Sequence, residues 1–434
     1  MTTASPLSAS PRRRPGTPVT MAFAGAGARG SAYADLAAQR PDRAQVVAVA
    51  EPRTAQRAEF ALRHGLARDQ VFTDWRDLAA WPRLADVVVI ALLDQHHLEA
   101  ALAFIERGYD VLLEKPMATS IDDCERIAAA ATAAGVTAAI CHVMRYTDYT
   151  KAIKAEIATG AIGDIVSVEH LEPVGYYHFA HSFVRGNWRR EDETSFVLLT
   201  KSCHDIDWLG HIVDRRPVKV SSFGELTHFR AENRPDGAAD RCLDCSVEDT
   251  CPYSAVRLYR DGLRNGGTKG YFTRVMTDVL TEDAVTEALR EGPYGRCVYA
   301  CDNDVADHQV VSVGYEGGVT ASFTLAAFTP LENRHTRIFG THGQITGNGR
   351  HIEVYDFRTE RTTVIDTSAD GSSAAEGHGG GDAGLITAFV DALYEDRPDL
   401  ILSGMSASLD SHRVVFAAEV ARRDGVVVHL PPNV

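Results

Sequence analysis

The segment Val19-Thr20-Met21-Ala22-Phe23-Ala24, followed at once by Gly25-Ala26-Gly27-Ala28-Arg29-Gly30, constrains this chain more than any other stretch. A short apolar strand that runs into glycines at this spacing, and then into a helical pattern from Ala32 to Gln39, is the opening of a dinucleotide-binding βαβ unit. Each glycine has a physical task. Gly25 permits the tight turn, Gly27 lets backbone approach a pyrophosphate, and Gly30 allows the helix to pack close to the strand. A second apolar run, Gln45 to Ala50, ends at Glu51, which lies 21 residues past Gly30 and is placed to take ribose hydroxyls. The carboxylate would repel a 2'-phosphate, so NAD is the expected cofactor. Arg53, two residues on, could accept that phosphate and makes NADP the alternative.

The same texture continues. Asp86 to Ala91 reads as a buried parallel strand, His97 to Arg107 as a helix, and Asp110 to Leu113 as a further strand ending in Glu114-Lys115-Pro116. Ser120 and Asp123 form a capping pattern ahead of an Ala-rich helix that Gly135 stops, and Val136 to Ile140 closes the series. Strands alternating with helices at this pitch predict a doubly wound parallel sheet, a Rossmann domain over residues 19–141.

At 434 residues the chain is long enough for a second domain, assigned to residues 142–434. Its helices are expected at about 149–159, 196–213, 384–396 and 404–423. Strands at 165–171, 218–229, 309–315, 319–328, 337–340, 351–357 and 362–366 predict a large, mostly antiparallel open sheet, so the whole chain is α/β. A polar, Cys-containing insertion is expected at about 230–254.

Two places carry chemistry. Lys115 follows a strand of the parallel sheet, and ligands of such sheets lie beyond the carboxyl ends of the strands. Pro116 restricts its backbone to an extended form. On the 196–213 helix, Thr200, His204, Asp207 and His211 recur at i, i+4, i+7 and i+11 and form one polar stripe, while Leu199, Cys203, Ile206 and Gly210 form an apolar face. A histidine on such a stripe suits acid/base work near neutral pH.

These residues, with Leu92-Leu93-Asp94-Gln95-His96-His97, Glu114-Lys115-Pro116 and Lys201-Ser202-Cys203-His204-Asp205-Ile206-Asp207, resemble the glucose-fructose oxidoreductase/inositol dehydrogenase (Gfo/Idh/MocA) family over nearly the whole chain from Val19. The resemblance implies a Rossmann domain followed by an α/β domain whose open sheet serves a homodimer or homotetramer. It also implies NAD(P) as cofactor and a sugar, sugar derivative or cyclitol as substrate. Lys115 and His204 match the family's catalytic lysine and histidine. Gly25, Gly27, Ala28, Arg29, Gly30, Glu51, Arg53, Leu92, Asp94, His97, Glu114 and Lys115 are the expected cofactor contacts. Many members carry an aspartate four residues before the histidine, whereas this chain has Thr200. Asp207, Lys201 or a histidine of the 178–181 loop could compensate.

Aromatics, histidines and arginines between Tyr176 and Arg189 offer ring faces and donors to a sugar. The expected substrate contacts are His178, His181, Arg185 and Trp188, with Arg145 and Tyr146 after the last parallel strand and Lys201 and Asp207 on the helix. Cys242, Cys245, Cys251 and Cys297 have spacing that fits a structural zinc, with free thiols as the alternative.

Composition closes off other classes. Asp and Glu number 59 against 44 Lys and Arg, a net charge of -15 that argues against nucleic acid or an anionic membrane as partner. The apolar run Ala85–Leu93 is far short of the ~18 residues of a membrane span. Residues 1–17 read as a disordered tail whose arginines are followed by no export-type apolar segment, so a cytoplasmic location is expected. Two enzymatic readings remain: a dehydrogenase, and an NAD-dependent glycosidase or lyase working by transient oxidation, elimination and re-reduction. A nucleotide-sensing regulator is the non-enzymatic reading.

Overall fold

The computed structural model describes residues 15–367 and 378–432. The chain divides into two compact units. The first runs to Tyr146 and takes in Asp382–His412, and the second comprises Thr147–Gly381 and Arg413–Val434.

In the first unit, strands β1 (Val19–Ala24), β2 (Ala44–Ala50), β3 (Val71–Phe72), β4 (Val87–Ile90), β5 (Asp110–Leu113) and β6 (Ala138–Ile140) form one sheet in the order β3-β2-β1-β4-β5-β6. All its pairings are parallel. This is the doubly wound Rossmann arrangement, with the β1/β4 boundary as the point where strand order reverses. Strands β1 and β4 are almost wholly buried, as near-continuous apolar runs covered on both faces should be. Segment 382–412 belongs to this unit, a return that a single division at 141/142 does not contain. Its Ser403 accepts the Ile140 N–H, and Gly404 bridges Ala139 at the sheet edge. The expected N-terminal tail lies outside the described residues as far as residue 14. Gly16, within it, donates its N–H to Tyr394 O at 2.9 Å.

The glycine turn is sterically forced. Gly25 has φ +99°, and a Cβ there would sit 2.3 Å from Ala91 O. A Cβ on Gly30 would stand 2.0 Å from Gly25 O, because the helix Ala28–Ala38 starts directly against the turn. Gly30→Ala is therefore expected to destabilise the chain by about 1–3 kcal/mol, the usual cost of forcing one carbon into a packed site. Thermal denaturation checks it; an unchanged melting temperature would show that the turn has slack.

The second unit carries β7 (Ile165–Pro173), β8 (Pro217–Glu225), β9 (His308–Tyr315), β10 (Thr320–Ala326), β11 (His335–Gly340), β12 (Gly343–Gly347), β13 (His351–Asp356), β14 (Arg361–Asp366) and β15 (Val428–His429). They form one nine-stranded sheet, β14-β13-β12-β11-β7-β10-β9-β8-β15. Only β7 and β10 pair in parallel, so the sheet is mixed and mostly antiparallel. One face alternates inward, with Val168, His170 and Glu172 of β7 beside Ala321, Phe323 and Leu325 of β10. On this face His170 stacks on Trp208 of the helix Val197–Val213, ring centroids 4.6 Å apart.

The connection from β8 to β9 is larger than the insertion expected at 230–254. It holds three helices, Ala255–Asn265, Gly267–Met276 and Glu282–Glu291, which enclose their own core of Leu258, Tyr259, Phe272, Val285, Leu289 and Tyr294.

Candidate active site

The first unit presents two loops at the carboxyl edge of its sheet. After β1, the N-terminus of the helix Ala28–Ala38 has Gly27 as its cap and no side-chain capping bond. Backbone N–H groups there are available to an anion, and the helix dipole favours one. After β2, the buried Glu51 carboxylate accepts the Ala26 N–H at 2.8 Å and the Arg53 N–H at 3.0 Å. Arg53 grips it with Nε at 2.7 Å and Nη2 at 3.0 Å. Burial works against ionisation of Glu51, but these donors hold its carboxyl below the usual range. The open helix end and the acid at the next strand fit a dinucleotide: Gly25 to Gly30 would hold the pyrophosphate and Glu51 the ribose.

After β5, Lys115 is half-buried and the Lys115–Pro116 bond is cis. The loop is fixed from several sides. Glu114 accepts the Lys115 N–H at 2.9 Å, and Met117 donates its N–H to His412 Nε2 at 3.0 Å. His97 Nδ1 lies 2.7 Å from Pro116 O and its Nε2 3.2 Å from Leu92 O, so one imidazole joins the loops after β4 and β5. Asp94 is buried in the single turn Asp94–His96 just before it.

The Arg29 side chain is held by two carboxylates. Its Nε donates to Glu114 at 2.9 Å, and both terminal nitrogens grip Asp382 of the return segment. Tyr33 donates to the same Glu114 oxygen at 2.7 Å. Burial opposes the charge on Glu114, and Arg29 outweighs it, so the carboxyl stays below its ordinary pKa. Arg145 and Tyr146 are likewise tied to the return segment: Arg145 donates to Leu402 O at 2.6 Å, and Tyr146 OH accepts the Leu402 and Ser403 N–H groups.

In the second unit the helix Val197–Val213 departs from the two-faced reading, because 15 of its 17 residues are buried. The polar stripe is inside, and a charged cluster satisfies it. Lys201 Nζ lies 3.0 Å from Glu172 Oε1. Arg334, from the loop before β11, lies 3.0 Å from Glu172 Oε2, donates from Nε to Asp205 Oδ1, and places Nη2 2.9 Å from His204 Nε2. Asp205 Oδ1 also lies 3.3 Å from His170 Nε2. Two cations thus face two carboxylates around two imidazoles. Burial pushes the Lys201 ammonium pKa down, with Glu172 opposing. Burial works against the Asp205 charge, yet Arg334 and His170 outweigh it and hold the carboxyl well below its usual range. Asp207 is buried on the same helix, and Thr200 Oγ1 lies 3.4 Å from Phe196 O. Glu172, His170 and Arg334 were not marked by the sequence: they come from a strand and a loop, and no spacing links them to the helix.

The aromatic loop is divided between surface and core. His178 and Trp188 are half-buried, with rings 5.1 Å from Phe272 and 6.3 Å from Phe183. His181 is stacked 4.4 Å from Phe272 and 4.7 Å from Tyr294, and bonds Tyr259 OH at 2.7 Å. Burial, with Arg185 nearby, depresses its pKa to about 3, so the ring is neutral. Arg185 is 1% exposed and donates to Arg296 O and Tyr253 O.

The zinc expectation meets a different arrangement. Cys242, Cys245, Cys251 and Cys297 line one cavity, but Arg185 lines it too, with Nη2 3.7 Å from Cys242 Sγ. Among the described residues no group of three or more His, Cys, Asp or Glu side chains is placed to hold a metal. None of the eight cysteines, all among the described residues, is joined in a disulfide. Among the described residues no helix is long and apolar enough to cross a membrane.

The chain belongs to the Gfo/Idh/MocA oxidoreductase family: residues 19–142 match its NAD-binding Rossmann fold and residues 154–430 its C-terminal alpha/beta domain. A Bacillus subtilis (strain 168) protein named as an oxidoreductase, YteT, is 26% identical over 327 residues, 69% of this chain and 71% of that one. Inositol 2-dehydrogenase of Rubrobacter xylanophilus is 28% identical over 196 residues, 44% of this chain and half of that protein. Among solved structures, an inositol dehydrogenase homolog from Azotobacter vinelandii, complexed with NADH and myo-inositol, superposes with a TM-score of 0.66 at 16% identity, covering 96% of this chain and 99% of that one. At that identity the likeness shows the fold alone.

Proposed function

We propose that the chain is an NAD-dependent dehydrogenase of a sugar, sugar derivative or cyclitol alcohol. The observation that carries this reading is the placement of Lys115. It follows β5 at the carboxyl edge of the sheet that bears the glycine turn, on a loop held by Glu114, His97 and His412. The nicotinamide, when bound, supplies the hydride acceptor. The substrate hydroxyl loses its proton as its carbon loses hydride, and Lys115 and His204 are the groups proposed to hold and move that proton. Glu51 favours NAD over NADP, because its buried carboxylate would face a 2'-phosphate. The homo-oligomer expectation is kept as part of this reading; it draws on the paired Phe223 and Val310, both exposed on the outer face of the nine-stranded sheet.

The reading is tested by incubating the purified protein with NAD or NADP and a panel of sugars, cyclitols and glycosides while following absorbance of the reduced cofactor. NADH growing in step with substrate consumed, and faster than NADPH, is expected. Release of aglycone with no net NADH would overturn the dehydrogenase in favour of the transient-oxidation reaction. The observation favouring that second reading is Thr200, a hydroxyl where the family resemblance expects a carboxylate.

A further inference from the structure

We propose that Arg334 is a positioning residue that fixes His204 as the neutral imidazole with its proton on Nδ1. A guanidinium has only N–H donors and no lone pair to offer. Its Nη2, 2.9 Å from His204 Nε2, therefore donates to that nitrogen, which must accept. With Nε2 accepting, the ring proton of the neutral form belongs to Nδ1. The arrangement is held rigidly, since the same guanidinium is paired with Asp205 and with Glu172, and Asp205 is itself shared with His170.

The consequence concerns which way His204 moves a proton. In this state the Nε2 lone pair is engaged by Arg334 and Nδ1 carries the N–H, so His204 takes part by donating that N–H to the substrate oxygen, while the proton leaving the hydroxyl passes to Lys115. Adding a second proton would place an imidazolium against a guanidinium. The ring has charged and titratable neighbours on three elements. On its own helix these are Lys201 and Asp205, on β7 His170 and Glu172, and on the loop before β11 Arg334. Lys201 is neutralised by Glu172, and the Asp205 carboxylate, 3.6 Å from Nε2, is neutralised by Arg334. Removing Arg334 deletes a repelling cation and at the same time frees that attracting carboxylate, so both changes favour the imidazolium.

This inference rests on the proposed role of His204, and its test keeps the two apart. The full chain, labelled at histidine nitrogens, is titrated by two-bond proton–nitrogen NMR, with His204 assigned by the signal lost in His204→Gln. The wild type is expected to show a protonated Nδ1 and a bare Nε2 at neutral pH. In Arg334→Gln the midpoint for the second proton is expected to rise by about one pH unit or more, the scale on which one adjacent charge moves a titrating group. Arg334→Lys, which keeps the charge but cannot reach all three partners, should lie between, and it serves if the glutamine variant does not fold. A wild-type Nε2–H tautomer, or coincident midpoints across the variants, overturns the proposal. If the midpoint shifts but the acid limb of the pH–rate profile does not, Arg334 is placed as argued and it is the proton-handling role of His204 that fails.

Discussion

Lys115→Ala should lower kcat by about 10²–10⁴-fold, the range that positioned proton transfer contributes, while NAD affinity changes only a few-fold. The bonds that fix this loop use the Lys115 N–H, the Pro116 carbonyl and the Met117 N–H, none of which truncation at Cβ removes. The side chain is half-buried and belongs to no hydrophobic cluster, so the melting temperature should barely move. Calorimetric titration with NAD, run beside the turnover assay, separates a lost proton carrier from a lost cofactor site. Full activity in the variant would refute the assignment of Lys115.

A second substitution is expected to act on stability. Asp205→Ala leaves the Arg334 guanidinium facing one carboxylate instead of two, in a site where Asp205 is fully buried. Breaking a buried pair from one side costs about 3–5 kcal/mol, since the remaining charge keeps its desolvation penalty and loses its partner. The pH dependence follows from the direction of the shift. The folded-state pKa of Asp205 is depressed, so its contribution is complete above the unfolded value, about 3.9, and is lost as pH falls through the lower folded value. Urea denaturation of wild type and variant should therefore show a constant gap from neutral pH to about pH 4, narrowing below it. A gap already closing near neutrality would mean that Asp205 is not held ionised by Arg334.

The elements legible in the chain are those whose signals are local. A glycine triplet between a buried strand and a helix can be read from about thirty residues, because turn, packing and the acid at the next strand all lie within one βαβ unit. Strand β3 was missed because two residues, Val71 and Phe72, carry no period. The helices Ala255–Asn265 and Glu282–Glu291 between β8 and β9 are amphipathic and lie beside the cysteines whose spacing fits metal chemistry. Tyr259, Phe272 and Leu289 form a satellite core there. The charged cluster was beyond reach for another reason. Arg334 and Glu172 meet Lys201 and Asp205 only because β7, the loop before β11 and the 197–213 helix converge, and sequence spacing does not encode that meeting. Arg185 and Arg29 teach the complementary lesson. In the sequence a motif arginine shows only its donors, while the fold shows the partners those donors find: backbone carbonyls for Arg185, and Glu114 and Asp382 for Arg29.

The return of segment 382–412 to the first unit sets an order on synthesis. A chain leaving the ribosome has all six strands of the parallel sheet by Ile140, yet the second counter-charge for Arg29, the cover over the edge of β6 and the histidine under Met117 arrive only with Asp382, Ser403 and His412. At about 5–20 residues per second the wait is some tens of seconds. The unit that starts first thus waits for most of the chain, and a fragment ending at Tyr146 would carry the nucleotide fingerprint with Glu114 and His97 but without His412, one of the three groups that hold its lysine loop in place.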